Sequence, residues 1–306
     1  TVETFYAFKG VVRRRHPERD EWYDKLLKEV SKKKPLQKKK VKGNTAYIFT
    51  LSDWQLGKVD LGVEKTLERY DKALQRAVAE VRRLGTIDEI YLLSMGDLTE
   101  GCYGYYDSQP HNISLNLSQQ YHLARKLIMK TVDTFLPYAN KIVLSGVPAN
   151  HGEMARSGKG QVVTSRLDNS DTMHLEICQE IMEQNKRYDK VTVSIPEGFH
   201  HTVEVKGHTV AFTHGHMHSG GSGPEGKIMK WWQGQMFGDF PVGDAEVLIT
   251  GHFHHPRMMQ QGNRTWFQCP SIDASIDFTA RTGMWSKPGV LTFTIDKDGW
   301  DNYKIV

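Results

Sequence analysis

The chain has 306 residues, 39% of them hydrophobic and 25% charged, with a net charge of +4, the proportions of an ordinary soluble globular protein. No run approaches 18 consecutive apolar residues, which argues against a membrane-spanning helix and a membrane partner. The N-terminus (TVETFYAFKGVVRRRHPERD) lacks the apolar core of a secretory signal, and Cys102, Cys178 and Cys269 are too few and scattered for a disulfide framework or a CxxC zinc site, so a cytoplasmic location is expected.

The charge is unevenly placed: residues 1–44 carry a net +8 and the remainder −4. Lys32, Lys33, Lys34, Lys38, Lys39, Lys40 and Lys42 put seven ammonium groups into eleven positions, a density expected to stay disordered unless a polyanion neutralises it. Nucleic acid is the expected polyanion, with a solvated linker as the alternative. Ahead of the lysines, Trp22, Leu26, Leu27 and Val30 fall at helical spacing and predict a short amphipathic helix. Residues 1–43 thus read as a basic extension, and residues 44–306 as one domain.

Within that domain TAYIFTLSD is a strand ending at Asp53, followed by a helix over residues 63–84 with Leu67, Leu74, Val78 and Val81 on one stripe. EIYLLSMGD is a buried strand ending at Asp97; a long helix over residues 115–135 then leads to KIVLSGV, ending before Asn150. Strands alternating with helices predict a parallel sheet with covering helices. In the second half VTVSIPE, TVEVKG, HTVAFTHG, AEVLITGH, RTWFQCP and GVLTFTID predict a second, mixed sheet. MKWWQGQMFGDF, with Trp231, Trp232, Met236 and Phe237, reads as a helical or irregular segment serving core packing or a lid.

Every polar candidate falls at the C-terminal end of a predicted strand, where α/β sheets place their ligand sites. These are Asp53 and Gln55, Asp97, Asn150 and His151, His214, and His252 with His254. Seven of them, His151 excepted, offer oxygen and nitrogen donors suited to two divalent cations. In order the motifs read SDWQ, MGD, ANHGE, THG and GHFH. This series resembles the calcineurin-like metallophosphoesterase superfamily (D-x-H, G-D, G-N-H-[ED], H, G-H-x-H), and within it phage-encoded and SbcD-type nuclease members; a phage-encoded protein would work in the host cytoplasm.

The resemblance implies an α/β fold of two mixed β-sheets packed as a four-layer αββα sandwich, with residues 44–306 as the catalytic domain. It implies two divalent metal ions, Mn before Mg, Fe, Zn or Ni. Asp97 would bridge them, Asp53, Gln55 and His254 would complete one site, and Asn150, His214 and His252 the other. His151 would donate a proton beside the scissile phosphate, and a metal-bridging hydroxide would attack it. Two positions depart from the pattern. Gln55 stands where the superfamily has His and offers only a neutral amide oxygen, or gives way to water; Ala149 stands where it has Gly, at small cost unless positive φ is demanded.

Glu153 is expected to orient a histidine behind the ligands. Tyr103, Tyr105, Tyr106 and His111 follow Asp97 on a loop where aromatic faces are expected to stack a nucleobase. Arg156 and Lys159 are candidate phosphate contacts, as is His216. The leading expectation is a phosphodiesterase or nuclease on nucleic acid. The rivals are a cyclic-nucleotide phosphodiesterase or nucleotide phosphatase, and an inactive metal-binding nucleic-acid scaffold; a homodimer and other protein partners stay open.

Overall fold

The computed structural model describes residues 18–36, 41–59, 62–157, 161–218, 224–273 and 285–306. In chain order its elements are α1 (Glu18–Ser31), β1 (Thr45–Ser52), α2 (Val63–Leu84), β2 (Ile87–Gly96), α3 (Leu117–Phe135), β3 (Lys141–Gly146), α4 (Ser170–Glu183), β4 (Val191–Ser194), β5 (His200–Val205), β6 (His208–Thr213), α5 (Pro224–Phe237), the single turn α6 (Pro241–Asp244), β7 (Val247–Thr250), β8 (Arg257–Gln261), β9 (Arg264–Gln268), β10 (Leu291–Asp296) and β11 (Gly299–Ile305).

All eight residues of β1 are buried, because alternate side chains enter two different cores. Tyr47, Phe49 and Leu51 face α1 to α4, while Ala46 and Ile48 join Phe212, Ile249 and Phe267 of the other sheet. The first sheet runs β11-β10-β1-β2-β3-β4 and the second β5-β6-β7-β9-β8. β1 to β4 are parallel, as are β6, β7 and β9; β10 and β11 extend the first sheet antiparallel, and antiparallel β5 and β8 flank the second. β4 and β10, expected in the second sheet, belong to the first instead, because β4 pairs with β3 and β10 with β1. Beyond the second sheet, Ile228, Trp232 and Val242 of α5 and α6 cover Ala211, Leu248 and Trp266. The result is the expected four-layer α/β sandwich of two mixed sheets between helices. Among the described residues no helix is long and apolar enough to cross a membrane.

Packing does not break at residue 43. Leu26 and Val30 of α1 are buried in the core that holds α3 and α4, each contributing about 1.5–3 kcal/mol by its burial. Asn185 Nδ2 donates to Val30 O at 2.7 Å, Lys33 pairs with Asp133, and Val41 N donates to Asn140 Oδ1 at 2.8 Å. The basic stretch is therefore anchored at both ends; Lys38, Lys39, Lys40 and the side chain of Trp22 lie outside the described residues. β8, α4, α6 and β11 were not expected. β8 (RMMQQ) is a half-exposed edge strand without polar/apolar alternation, and α4 carries its function in its first turn, described below. The Trp-rich segment is helix α5: Trp232 is buried with Nε1 donating to Val242 O at 2.9 Å, while Phe237 is 92% exposed.

Candidate metal centre

β1 and β2 run parallel, and their pairing continues into the following loops: Asp53 N donates to Gly96 O and Gln55 N to Asp97 O, both at 3.0 Å. This register sets Asp53 and Asp97 side by side. Among the described residues eight non-glycine residues have positive φ, and five of them are Asp53 (51°), Gln55 (42°), Asp97 (52°), His252 (70°) and His254 (59°). Such left-handed conformations cost about 1–3 kcal/mol each and persist only where the surroundings over-determine them.

Those surroundings are visible. The buried Asp171 carboxylate, in the first turn of α4, accepts from Asp97 N (3.1 Å) and Leu98 N (3.0 Å). Asn169 caps the same turn by accepting from Asp171 N at 3.1 Å, and its Nδ2 donates to Ala149 O at 2.8 Å. His252 N donates to both Asp53 carboxylate oxygens (3.1 and 3.2 Å), Ser52 Oγ donates to the same carboxylate, and Ser271 Oγ donates to Asp53 O at 2.8 Å. Gly96, at φ 83°, admits no side chain: a Cβ there would stand 2.4 Å from Ala149 Cβ. Ala149 itself is not among the positive-φ residues, so its departure from the pattern is accommodated. Nothing in the sequence singled out Asp171 or Asn169, which act on residues distant along the chain.

His214 is fully buried. Its Nδ1–H donates to Met95 O at 2.7 Å, which leaves Nε2 facing Asn150 Oδ1 at 2.9 Å and Asp97 Oδ2 at 3.0 Å. Three lone-pair-bearing atoms thus converge where only a proton or a cation can satisfy them. Without a metal the proton does so: burial disfavours the charged ring, but the Asp97 carboxylate outweighs it and lifts His214 to about 9. Burial would also raise Asp97, yet His214 and His151 hold it well below the usual carboxylate range. Ligand atoms of Asp97, His214 and His252 lie within 4.8 Å of one another, the one such group of His, Cys, Asp and Glu among the described residues. The donors present fit a divalent cation. On the other side His254 Nε2 lies 3.2 Å from Asp53 Oδ1, while Gln55 Oε1 accepts from Lys58 Nζ at 3.2 Å, an ammonium also paired with Asp273 at 3.0 Å.

His151 is joined to Asp97 through the backbone, its N–H donating to Asp97 Oδ1 at 2.8 Å. Its Nδ1–H donates to Glu100 O at 2.7 Å, with the buried Glu100 carboxylate 3.7 Å away. Burial lowers its pKa, but the charges of Asp97 and Glu100 raise it on balance. Tyr105 stacks on the imidazole with centroids 4.3 Å apart and planes 7° off parallel, and the Arg156 guanidinium lies 4.0 Å from the centre of the same phenol ring. Two groups at such distances cannot share one face, so both faces of Tyr105 are covered and a nucleobase cannot stack there.

The remaining candidates divide. Arg156 pairs with Glu153 and donates to Gly104 O at 3.2 Å. Glu153 also pairs with Arg166 at 2.6 Å, so it binds two arginines and not a histidine behind the ligands. Tyr106 OH donates to Glu100 Oε1 at 2.6 Å, His111 and Tyr103 are exposed, and the His216 ring sits 5.3 Å from that of His214. Lys159 lies outside the described residues.

No family model and no curated protein matches the sequence. Solved structures similar in chain path include an archaeal phosphodiesterase, 12% identical with a TM-score of 0.38, covering 85% of this chain and 99% of that one. The phosphoesterase Yfce of E. coli is 15% identical with a TM-score of 0.35, covering 82% and 89%. A Vps29 from Entamoeba histolytica solved with Zn²⁺ is 11% identical with a TM-score of 0.33, covering 81% and 84%.

Proposed function

We propose that this chain is a divalent-metal phosphoesterase that hydrolyses phosphodiester bonds, with nucleic acid as its substrate class. The observation that carries the reading is the convergence of Asp97, Asn150 and His214 on one point that demands positive charge, beside Asp53, His252 and His254 at strand ends of the two sheets. Asp97, Asn150, His214 and His252 would hold one divalent ion, and Asp53, Asp97, Gln55 and His254 a second. Bound there, divalent ions supply charge neutralisation for the phosphate and activation of the attacking water.

The chain's own groups do the rest. Asp97 links the two halves and, through the His151 N–H, sets the imidazole beside them. With Nδ1–H given to Glu100 O, His151 presents Nε2 to carry a proton to the departing oxygen, a contribution of about 10² to 10⁴ in rate. Tyr105 holds that ring in plane. The net +8 over residues 1–44 supports a polymeric anion as substrate. The Lys33–Asp133 pair favours the rival on small nucleotides, since part of that charge is spent inside the fold.

The test is Mn²⁺-dependent hydrolysis of bis-p-nitrophenyl phosphate and of labelled single- and double-stranded DNA by the parent, Asp97→Ala and His151→Ala. Cleavage of DNA that both variants lose upholds the proposal; turnover of small esters alone moves the substrate to the rival. Metal binding without turnover of any substrate would leave a scaffold. Because Leu26 and Val30 are core residues, the basic stretch is tested by replacing Lys38, Lys39, Lys40 and Lys42 with Gln, not by truncation.

A further inference from the structure

We infer that the two halves of this centre are unequal: the Asp97, Asn150, His214 and His252 half holds a divalent cation tightly, whereas the Asp53, Gln55 and His254 half carries the Lys58 ammonium as a built-in positive charge and takes a second divalent cation only weakly. The inference rests on the metal-centre reading above and concerns how many ions the resting protein keeps.

Four observations lead to it. Lys58 Nζ is 3.2 Å from Gln55 Oε1 and 3.0 Å from Asp273 Oδ2, and the Lys58 and Asp273 side chains are only 15% and 4% exposed. The pair is therefore held in place, not a passing surface contact. Its anchoring runs into the centre: Ser271 Oγ accepts from Asp273 N at 2.9 Å and donates to Asp53 O at 2.8 Å. Gly57, at φ 105° where a Cβ would fall 2.6 Å from Gln120 atoms, permits the turn in which Lys58 N donates back to Gln55 O at 3.3 Å.

The second observation concerns charge. An amide oxygen that ligates a divalent cation stands about 2.0–2.6 Å from it, so an ammonium 3.2 Å from that oxygen would be a near neighbour of the ion and repel it. Gln55 brings no negative charge in compensation, and the Asp273 carboxylate paired with the same ammonium offsets part of the repulsion. Third, the Asp53 carboxylate already receives the Ser52 hydroxyl and the His252 N–H, with His254 Nε2 at 3.2 Å. Fourth, the tight group of ionisable donors among the described residues is Asp97, His214 and His252, without Asp53 or His254.

The experiment uses the full chain, stripped with a chelator and titrated with Mn²⁺ by calorimetry, with the ions retained after gel filtration counted by elemental analysis. The parent is expected to retain one Mn²⁺ and to bind a second at least about tenfold more weakly. Lys58→Met tightens that second step about tenfold and leaves the first unchanged, and Lys58→Gln, a soluble neutral replacement, does the same if the Met variant folds poorly. Two equally tight ions in the parent, or a second step indifferent to both substitutions, overturns the inference while leaving the metal centre standing. A parent that binds no Mn²⁺ sinks the metal-centre reading itself.

Discussion

Replacing Tyr105 by Leu removes the plate against which His151 rests. Three interactions vanish: the stack on the imidazole, about 0.5–1.5 kcal/mol; the Arg156 contact, about 0.5–2 kcal/mol; and the bond from Tyr105 OH to Glu153 O at 3.1 Å, about 0.5–1.5 kcal/mol. Together about 1.5–5 kcal/mol of local restraint on Tyr105 and the His151 ring stacked on it is lost. If the imidazole contributes about 10² to 10⁴ in rate, freeing it is expected to lower kcat by about 10- to 100-fold on a dinucleotide, whose sugar alkoxide needs a proton to depart. The loss should be smaller on bis-p-nitrophenyl phosphate, whose leaving group departs unaided. Tyr105→Phe keeps both faces and should stay within about threefold. In His151→Ala the Leu substitution should cost almost nothing further, because the two residues then act through one group. Steady-state kinetics at saturating Mn²⁺ decide the matter. A Tyr105→Leu enzyme with parental kcat on the dinucleotide and a raised KM would refute the positioning argument and return Tyr105 to substrate binding.

Other outcomes are expected. Asp171→Ala strands the N–H groups of Asp97 and Leu98 at about 1–3 kcal/mol each, offset in part because burial and the Asp97 charge already push Asp171 up to about 7; thermal melts should show a net loss of about 2 kcal/mol, and Mn²⁺ affinity should fall with it. Leu26→Ala should cost about 2–4 kcal/mol in urea unfolding, as for any core leucine, whereas a helix hanging free of the domain would give almost no change. The cation-free protein holds a proton on His214 below about 9, so Mn²⁺ must displace it: affinity should rise about tenfold per pH unit from 6.5 to 8, with proton release seen as buffer-dependent calorimetric heats. Because that folded pKa lies above the unfolded value of 6.5, the metal-free protein gains stability from this group fully below 6.5 and loses it as pH rises through about 9. Gly96→Ala, forcing a methyl against Ala149 at positive φ, should destabilise by about 2–4 kcal/mol.

How much of this was legible beforehand follows from the range of the interactions. Buried strands announce themselves as apolar, β-branched runs, and a polar residue directly after such a run must emerge at the sheet edge. Asp53, Asp97, Asn150, His214 and His252 could therefore be named from sequence together with their common location. Tyr105 could be placed on the loop after Asp97 but not given its role, because its partners His151 and Arg156 arrive on another strand's loop. Asp171 acts on a residue 74 positions away and Lys58 meets Asp273 across 215. No periodicity or spacing encodes such pairs.

The basic stretch shows the same division. Its charge is a property of composition, yet whether it hangs free depended on Leu26 and Val30 finding a core and on Asp133 meeting Lys33. By itself, then, the sequence determined which residues can ligate and at which strand ends they emerge, since burial and alternation are local. Only the tertiary structure decided which lone pairs face one another, which of them an ammonium already answers, and which backbone turns are held in the left-handed region. Those depend on parallel strand register and on the first turn of α4 being laid against two loops.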